Sequence, residues 1–285
     1  MRMKKILAAV LSAAMVVTSV VMPQEAAGIV KAAGGDDTST ADITSGLIAY
    51  YGFEDSLENG ASETGGTAKL HGGAGDTWNA PATGESNYAE GKKGKAYSFT
   101  GDIDTKRGEG LELDVKTTKN FTISAWVNTA EKVDYQPIIF SNKDGDNYIT
   151  AGTYYNNFAS GGIVNYKTKW HWLDKNNASE SELKDLPLNT WTHITLTFSD
   201  NGNNTATATL YYNKEILSKQ VIYEHEDSDN TDSPFPAYVA DDFANMPIFL
   251  GINWWNQSFR GLMDEVFIYN RALSSADVDE LYLNP

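Results

Sequence analysis

The chain has 285 residues, 41% of them hydrophobic, no cysteine, and a formal net charge of −16. Such acidity repels phosphates, which excludes nucleic acid and anionic lipid as partners, and it suits neutral polysaccharide or bound cations. Zero cysteines exclude a disulfide framework and a thiol nucleophile, so the core itself must hold the fold, with or without a metal.

Residues 1–32 read as a secretory signal peptide. Arg2, Lys4 and Lys5 form a basic start, and "ILAAVLSAAMVV" is an apolar run too short for a comfortable membrane span. Val30-Lys31-Ala32 best resembles a cleavage site. Cleavage removes Arg2, Lys4, Lys5 and Lys31 against the single anion Glu25, making the mature chain three units more negative. The protein is expected outside the cell, with no membrane insertion after cleavage. Residues 33–45 are a polar linker without apolar period, and residues 46–285 form one domain.

From Leu47 onward the pattern is strand, turn, strand. "FTISAWVN" alternates Phe121, Ile123, Ala125 and Val127 against Thr122, Ser124, Trp126 and Asn128. "KDGD" at 143–146 predicts a hairpin between "PIIFS" and "NYITAG". "TWTHITLTFS" sets Ile194, Leu196 and Phe198 on one side and Trp191, His193 and Thr195 on the other. "TATATLYYN", "ILSKQVIYE", "MPIFLGI" and "LMDEVFIYN" are further β-branched or aromatic runs. Only the end predicts a helix, with Ser274 as N-cap, Asp277 three residues on, and Val278, Leu281 and Tyr282 at helical spacing. Many short strands without βαβ alternation predict an all-β fold, a sandwich of two antiparallel sheets with a short C-terminal helix.

The opening "LIAYYGFEDSLEN", the strand "FTISAWVN", "PLNTWTHITLTF", "TLYYNKE" and the closing "FRGLMDEVFIYNRALSSADVDELY" occur in that order. Together they resemble the LamG-like jelly-roll domain of the concanavalin A-like lectin/glucanase superfamily, over roughly residues 46 to 283. The resemblance implies a jelly-roll sandwich and, since such domains often accompany secreted glycoside hydrolases and adhesins, a carbohydrate-binding or packing role.

Asp264 and Glu265 are consecutive in a predicted strand, so their side chains are expected on opposite faces. Glycoside hydrolysis needs two carboxyl groups facing one bond, roughly 5–5.5 Å apart for retention or 6.5–9.5 Å for inversion. No catalytic residue is therefore assigned. The four histidines show no metal-binding spacing and no Gly-x-Ser-x-Gly elbow exists; His193, on a strand, reads as structural. Alternation predicts that Asp264 shares a face with Val266 and Ile268, where a half-buried carboxylate needs a cation or several N–H donors. The resemblance implies a structural Ca²⁺ between the end of the first strand and the last strand, with Glu54 and Asp264 as ligands. A hydrogen-bonded carboxylate without metal is the alternative, and Glu54 stands where the family usually has aspartate.

Sugar binding needs an aromatic plate beside polar groups. "NWWNQS" supplies Asn253, Trp254, Trp255 and Gln257 in a loop, "NYKTKWHW" supplies Trp170 and Trp172 at a strand end or loop, and "GTYYNN" adds Tyr155. Trp126 and Trp191, on regular strands, are expected to be structural, and one of two adjacent tryptophans usually packs inward. Three readings remain: a secreted, non-catalytic lectin-like module, alone or accessory to a glycoside hydrolase; a glycoside hydrolase; and a structural or adhesion domain without glycan. The expected partner is a polysaccharide or oligosaccharide, with a monomer as the working assumption.

Overall fold

The computed structural model describes residues 41–61, 66–73, 78, 85–101, 108–131, 133–153, 160–167, 169–173, 186–223 and 239–285. The expected signal peptide, most of the expected linker, and Tyr155 lie outside them.

Two antiparallel sheets form the sandwich that the sequence predicts. The first holds β1 (Leu47–Tyr51), β3 (Tyr88–Glu90), β4 (Lys95–Thr100), β6 (Phe121–Thr129), β11 (Trp191–Asp200), β12 (Ala206–Tyr212), β13 (Glu215–Ile222) and β15 (Arg260–Tyr269). The second holds β2 (Lys69–His71), β5 (Gly110–Lys116), β7 (Pro137–Asn142), β8 (Asn147–Thr153), β9 (Ser160–Tyr166), β10 (Lys169–Trp172) and β14 (Pro247–Leu250). Strand order is β13-β12-β11-β6-β15-β4-β3 in the first sheet and β10-β9-β8-β7-β14-β5-β2 in the second. A short helix α1 (Val239–Asp242), which no sequence signal announced, precedes β14, and α2 (Ser275–Leu283) closes the chain.

Alternation explains the core. Phe121, Ile123, Ala125 and Val127 of β6 join Ile194, Leu196 and Phe198 of β11, and meet Ile149, Ala151, Val164, Ile248 and Leu250 of the second sheet. The KDGD turn closes the β7–β8 hairpin, its Asp144 carboxylate accepting the backbone N–H groups of Asp146 and Asn147. Ser274 caps α2 with a capping box through Asp277, as its sequence signals. Val278 and Leu281 are buried on the outer face of the first sheet, against Tyr211, Phe267, Tyr269 and Leu273. Residues just before 46 also pack on this sheet. Asp42 N–H donates to the Asp277 carboxylate, Arg271 reaches the carbonyl oxygens of Asp42 and Ser45, and Ile43 packs beside Tyr269.

Strand β15 departs from simple alternation, and this corrects the expected placement of its carboxylates. Along one edge its partner is β4 at Arg260–Met263 and then β1 at Val266–Tyr269, while β6 runs along the other with a register shift between Asp264 and Phe267. Glu265 takes φ +49°, the left-handed conformation of a bulge. Met263 and Val266 therefore both enter the inter-sheet core, and the two residues between them turn outward together. Asp264 does not share a face with Val266 and Ile268, and Asp264 and Glu265 do not point to opposite faces.

Candidate functional site

The outer faces of the two sheets carry very different polar groups. On the first sheet, Asp264 and Glu265 fill the seam where β15 passes from β4 to β1. Asp264 is fully buried; its Oδ2 accepts from Lys93 N–H at 3.0 Å and its Oδ1 from Glu265 N–H at 2.8 Å. Glu265 accepts from the Tyr50 hydroxyl at 2.6 Å, with Lys93 Nζ at 3.9 Å. Burial pushes the Asp264 carboxyl up to about 7 and raises Glu265 as well.

Glu54 holds the same β3–β4 turn from its other side, accepting Lys95 N–H at 3.1 Å. The turn needs its glycines: a Cβ on Gly91 would lie 2.6 Å from Asp264 Oδ2, and one on Gly94 1.9 Å from Glu54 Oε1. Glu54 and Asp264 thus converge on one structural element. Their oxygens accept backbone N–H groups, Glu54 that of Lys95 and Asp264 those of Lys93 and Glu265. Calcium needs six to eight oxygen ligands, and no group of three or more His, Asp or Glu residues suited to a metal occurs among the described residues.

The same face holds His193, fully buried, its Nε2 2.7 Å from Ser124 Oγ and its ring 5.1 Å from that of Trp126. Burial depresses the imidazole to about 3, so it stays neutral. Tyr282 of α2 stacks on Trp126 at 5.4 Å, and Lys92 Nζ lies 4.1 Å from the Trp126 ring. Asp264, Glu265, Trp126 and His193 are all buried here.

The outer face of the second sheet is open. Tyr148, Thr150 and Gly152 of β8 and Gly161, Ile163 and Asn165 of β9 project away from the core, opposite to Ile149, Ala151 and Val164. They floor a cavity of about 550 Å³, walled by Trp170 of β10, by Asn253, Trp255 and Asn256 from the β14–β15 loop, and by Tyr135 and Gln136 before β7. The cavity sits within the 300–1,000 Å³ range of small-molecule sites. Its described lining contains one carboxylate, Asp146, and no cation.

The aromatic residues expected to bind sugar separate by role. Trp255 is 44% exposed, lines the cavity, and lies against Tyr148 with ring centroids 5.0 Å apart. Trp254 is less exposed, its ring 5.6 Å from Phe140 and 5.9 Å from Trp78, while Trp255 also touches Phe140 at 5.9 Å. Trp170 is 53% exposed and lines the cavity, braced edge-on by Trp172 at 5.3 Å. Trp170 and Trp172 stand on β10, a regular strand paired with β9, rather than in a loop. Asn253 shapes the loop: its Oδ1 accepts from the backbone N–H of Trp255 and Asn256, and its Nδ2 donates to Asn256 Oδ1. Gln257 is not among the lining residues.

Tyr148, Asn165 and Gln136 are among the lining residues that escaped the sequence reading. Tyr148 was legible, since "NYITAG" alternates and puts Tyr148 opposite Ile149. Asn165 lay within a quoted stretch but was not singled out. Gln136 has no local signal; tertiary packing brings its Nε2 to the Ser258 carbonyl at 3.1 Å. In both amides the oxygen has no hydrogen-bond partner, although Gln136 and Asn165 are buried.

Comparison with solved structures places this geometry among known folds. Domain 4 of AbnA, a GH43 extracellular arabinanase from Geobacillus stearothermophilus in complex with arabinotriose, superposes with a TM-score of 0.62 at 21% identity, covering 83% of this chain and 98% of that one. The receptor binding domain of botulinum neurotoxin C/D mosaic serotype matches with a TM-score of 0.54 at 14% identity, covering 85% of this chain and 52% of that one. The binding domain of botulinum neurotoxin DC in complex with SialylT matches with a TM-score of 0.53 at 12% identity, with 85% and 52% covered. The chain thus spans nearly all of the arabinanase domain but about half the length of the toxin domains. No curated protein matches its sequence. No helix among the described residues is long and apolar enough to cross a membrane. The family model Laminin_G_3 matches residues 108–279, more than half of the chain, and the chain belongs to the concanavalin A-like lectin/glucanases superfamily.

Proposed function

We propose that this protein is a secreted, non-catalytic carbohydrate-binding module that takes a neutral polysaccharide or oligosaccharide in the cavity on the second sheet. The observation that carries the reading is the pair of half-exposed tryptophans, Trp170 and Trp255, lining one cavity whose described walls hold amides, hydroxyls and one carboxylate but no cation. Sugar C–H faces stack on indole rings while hydroxyls hydrogen-bond amides and carboxylates. The absence of a cation among the described lining residues favours neutral over anionic glycans. The arabinotriose complex of the structurally similar arabinanase domain supports a carbohydrate ligand for this fold.

The non-catalytic part of the reading rests on carboxylates. Hydrolysis by the usual route requires two across one bond, whereas Asp146 stands alone in the described lining and Asp264 and Glu265 are buried on the other sheet. We further propose that Glu54 and Asp264 serve the β3–β4 turn through hydrogen bonds without calcium. Native affinity electrophoresis of the mature chain in gels containing arabinan, xylan, β-glucan or polygalacturonate tests the main reading. Retardation by a neutral polymer, with no sugar released from it, is the expected result; retardation by none of them removes the reading.

A further inference from the structure

The register of three strands sets the spacing of the aromatic plates. Trp170 of β10 pairs with Asn165 of β9, and Asn165 pairs with Tyr148 of β8. Residues directly opposed in antiparallel strands share a face, so Trp170, Asn165 and Tyr148 form one row across the outer surface. Neighbouring strands lie about 4.8 Å apart, which sets the Cα atoms of Trp170 and Tyr148 about 10 Å apart. Trp255 leans on Tyr148, making a second plate at the far end of that row. The next row is Trp172, Ile163 and Thr150, and the one beyond it pairs Gly161 with Gly152, bare backbone that deepens the floor.

Resting on the carbohydrate reading, we infer that the cavity holds a run of a linear glycan laid across β10, β9 and β8, with separate sugars stacked on Trp170 and on Trp255. One sugar ring matches one indole in width and cannot span two strand spacings, so a monosaccharide engages one plate and a longer chain both. The residue between the plates is equipped for the intervening sugar. Asn165 Nδ2 is held by the Gly145 carbonyl at 3.2 Å, and turning the amide over would set oxygen against oxygen. Its Oδ1 is therefore held away from that carbonyl and is buried without a hydrogen-bond partner, an acceptor that a sugar hydroxyl or a bridging water reaches once the side chain turns toward the cavity. Trp172 keeps the Trp170 ring upright from behind.

Isothermal titration of the mature chain with arabino-, xylo- and cello-oligosaccharides, each from one sugar to six, tests the inference. In any series that binds, affinity is expected to climb with length and level off at about three sugars, the reach of two strand spacings. Trp170→Ala is expected to lower affinity for the longest oligomer about thirtyfold and to flatten the length dependence. Trp170→Tyr, which keeps a stacking ring, is expected to restore most of both. Because Trp170 is exposed at a sheet edge, its variants are expected to keep the wild-type melting temperature. A monosaccharide bound as tightly as its hexasaccharide, or an Ala variant with undiminished length dependence, overturns the two-plate arrangement while leaving a carbohydrate site in place. Binding of no member of the three series, together with no retardation by any polysaccharide, instead overturns the carbohydrate reading on which this one rests.

Discussion

The outer face of the first sheet carries Trp126, His193 and Asp264 beneath α2 and the Gly91–Gly94 turn, whereas that of the second carries Tyr148, Trp170 and Trp255 with a cavity above them. Both faces combine tryptophan, hydroxyls and a carboxylate. On the first sheet packing covers these groups: Tyr282 stacks on Trp126, Ser124 holds His193 and Lys93 N–H meets Asp264, while Trp126 Nε1 and His193 Nδ1 keep no hydrogen-bond partner. On the second, the indole rings of Trp170 and Trp255 stay half-exposed beside the cavity. Residue type does not separate a binding face from a structural one. Coverage does.

The largest expected effect tests the covered side. Leu281→Ala empties a buried position in α2 and is expected to cost about 2–5 kcal/mol of stability, read by urea unfolding. Glycan affinity of the fraction that remains folded is expected to be unchanged, and a specific loss of affinity would mean that the two faces are coupled.

The adjacent tryptophans sharpen the comparison within one loop. Trp255→Ala is expected to cost roughly 2 kcal/mol of binding, about thirtyfold, with little change in Tm. Trp254→Ala, which removes a ring packed on Phe140 and Trp78, is expected to lower Tm and to affect binding only through that. Equal behaviour of the two variants in both assays would erase the distinction.

Asp264 adds a pH signature belonging to the covered face alone. Its folded value of about 7 lies above the ordinary 3.8, because burial disfavours the charged form. The unfolded chain therefore loses this proton first, and the stability it lends, complete below about pH 4, is lost as pH rises through 7. Asp264→Asn is expected to lose less Tm than wild type between pH 5 and 8, by roughly 2–4 °C for each kcal/mol recovered. Parallel profiles would show that Asp264 is ionised at no cost in the fold.

The smallest effect expected is none. Excess chelator should leave Tm unchanged if N–H donors alone serve Glu54 and Asp264. A fall reversed by added calcium would place a metal there, since a ligand bound only by the folded state raises its stability.

Much of this was legible in the chain order of residues. Two-residue alternation in "FTISAWVN" and "TWTHITLTFS" sorted the inter-sheet face from the outer face, because successive side chains of a strand take opposite sides. Ser274 and Asp277 announced α2, since N–H groups at a helix start need local acceptors. Local sequence also showed that Trp170, Trp172, Trp254 and Trp255 stand among amides. It did not show which of them remain exposed, because that depends on what Phe140, Trp78 and Tyr148, distant in sequence, bring against them.

The bulge at Glu265 marks the division most clearly. By itself the sequence determined a sandwich of alternating strands, a capped terminal helix and an acidic pair near its end, all consequences of backbone periodicity and local hydrogen bonding. Only the tertiary structure decided that β15 exchanges β4 for β1 at that pair, that both carboxylates consequently turn outward to the β3–β4 turn and Tyr50, and that Trp170, Asn165 and Tyr148 share a row. Strand pairing joins residues tens to hundreds of positions apart, and the register that aligns them is set by the packing of the whole sandwich rather than by any one segment.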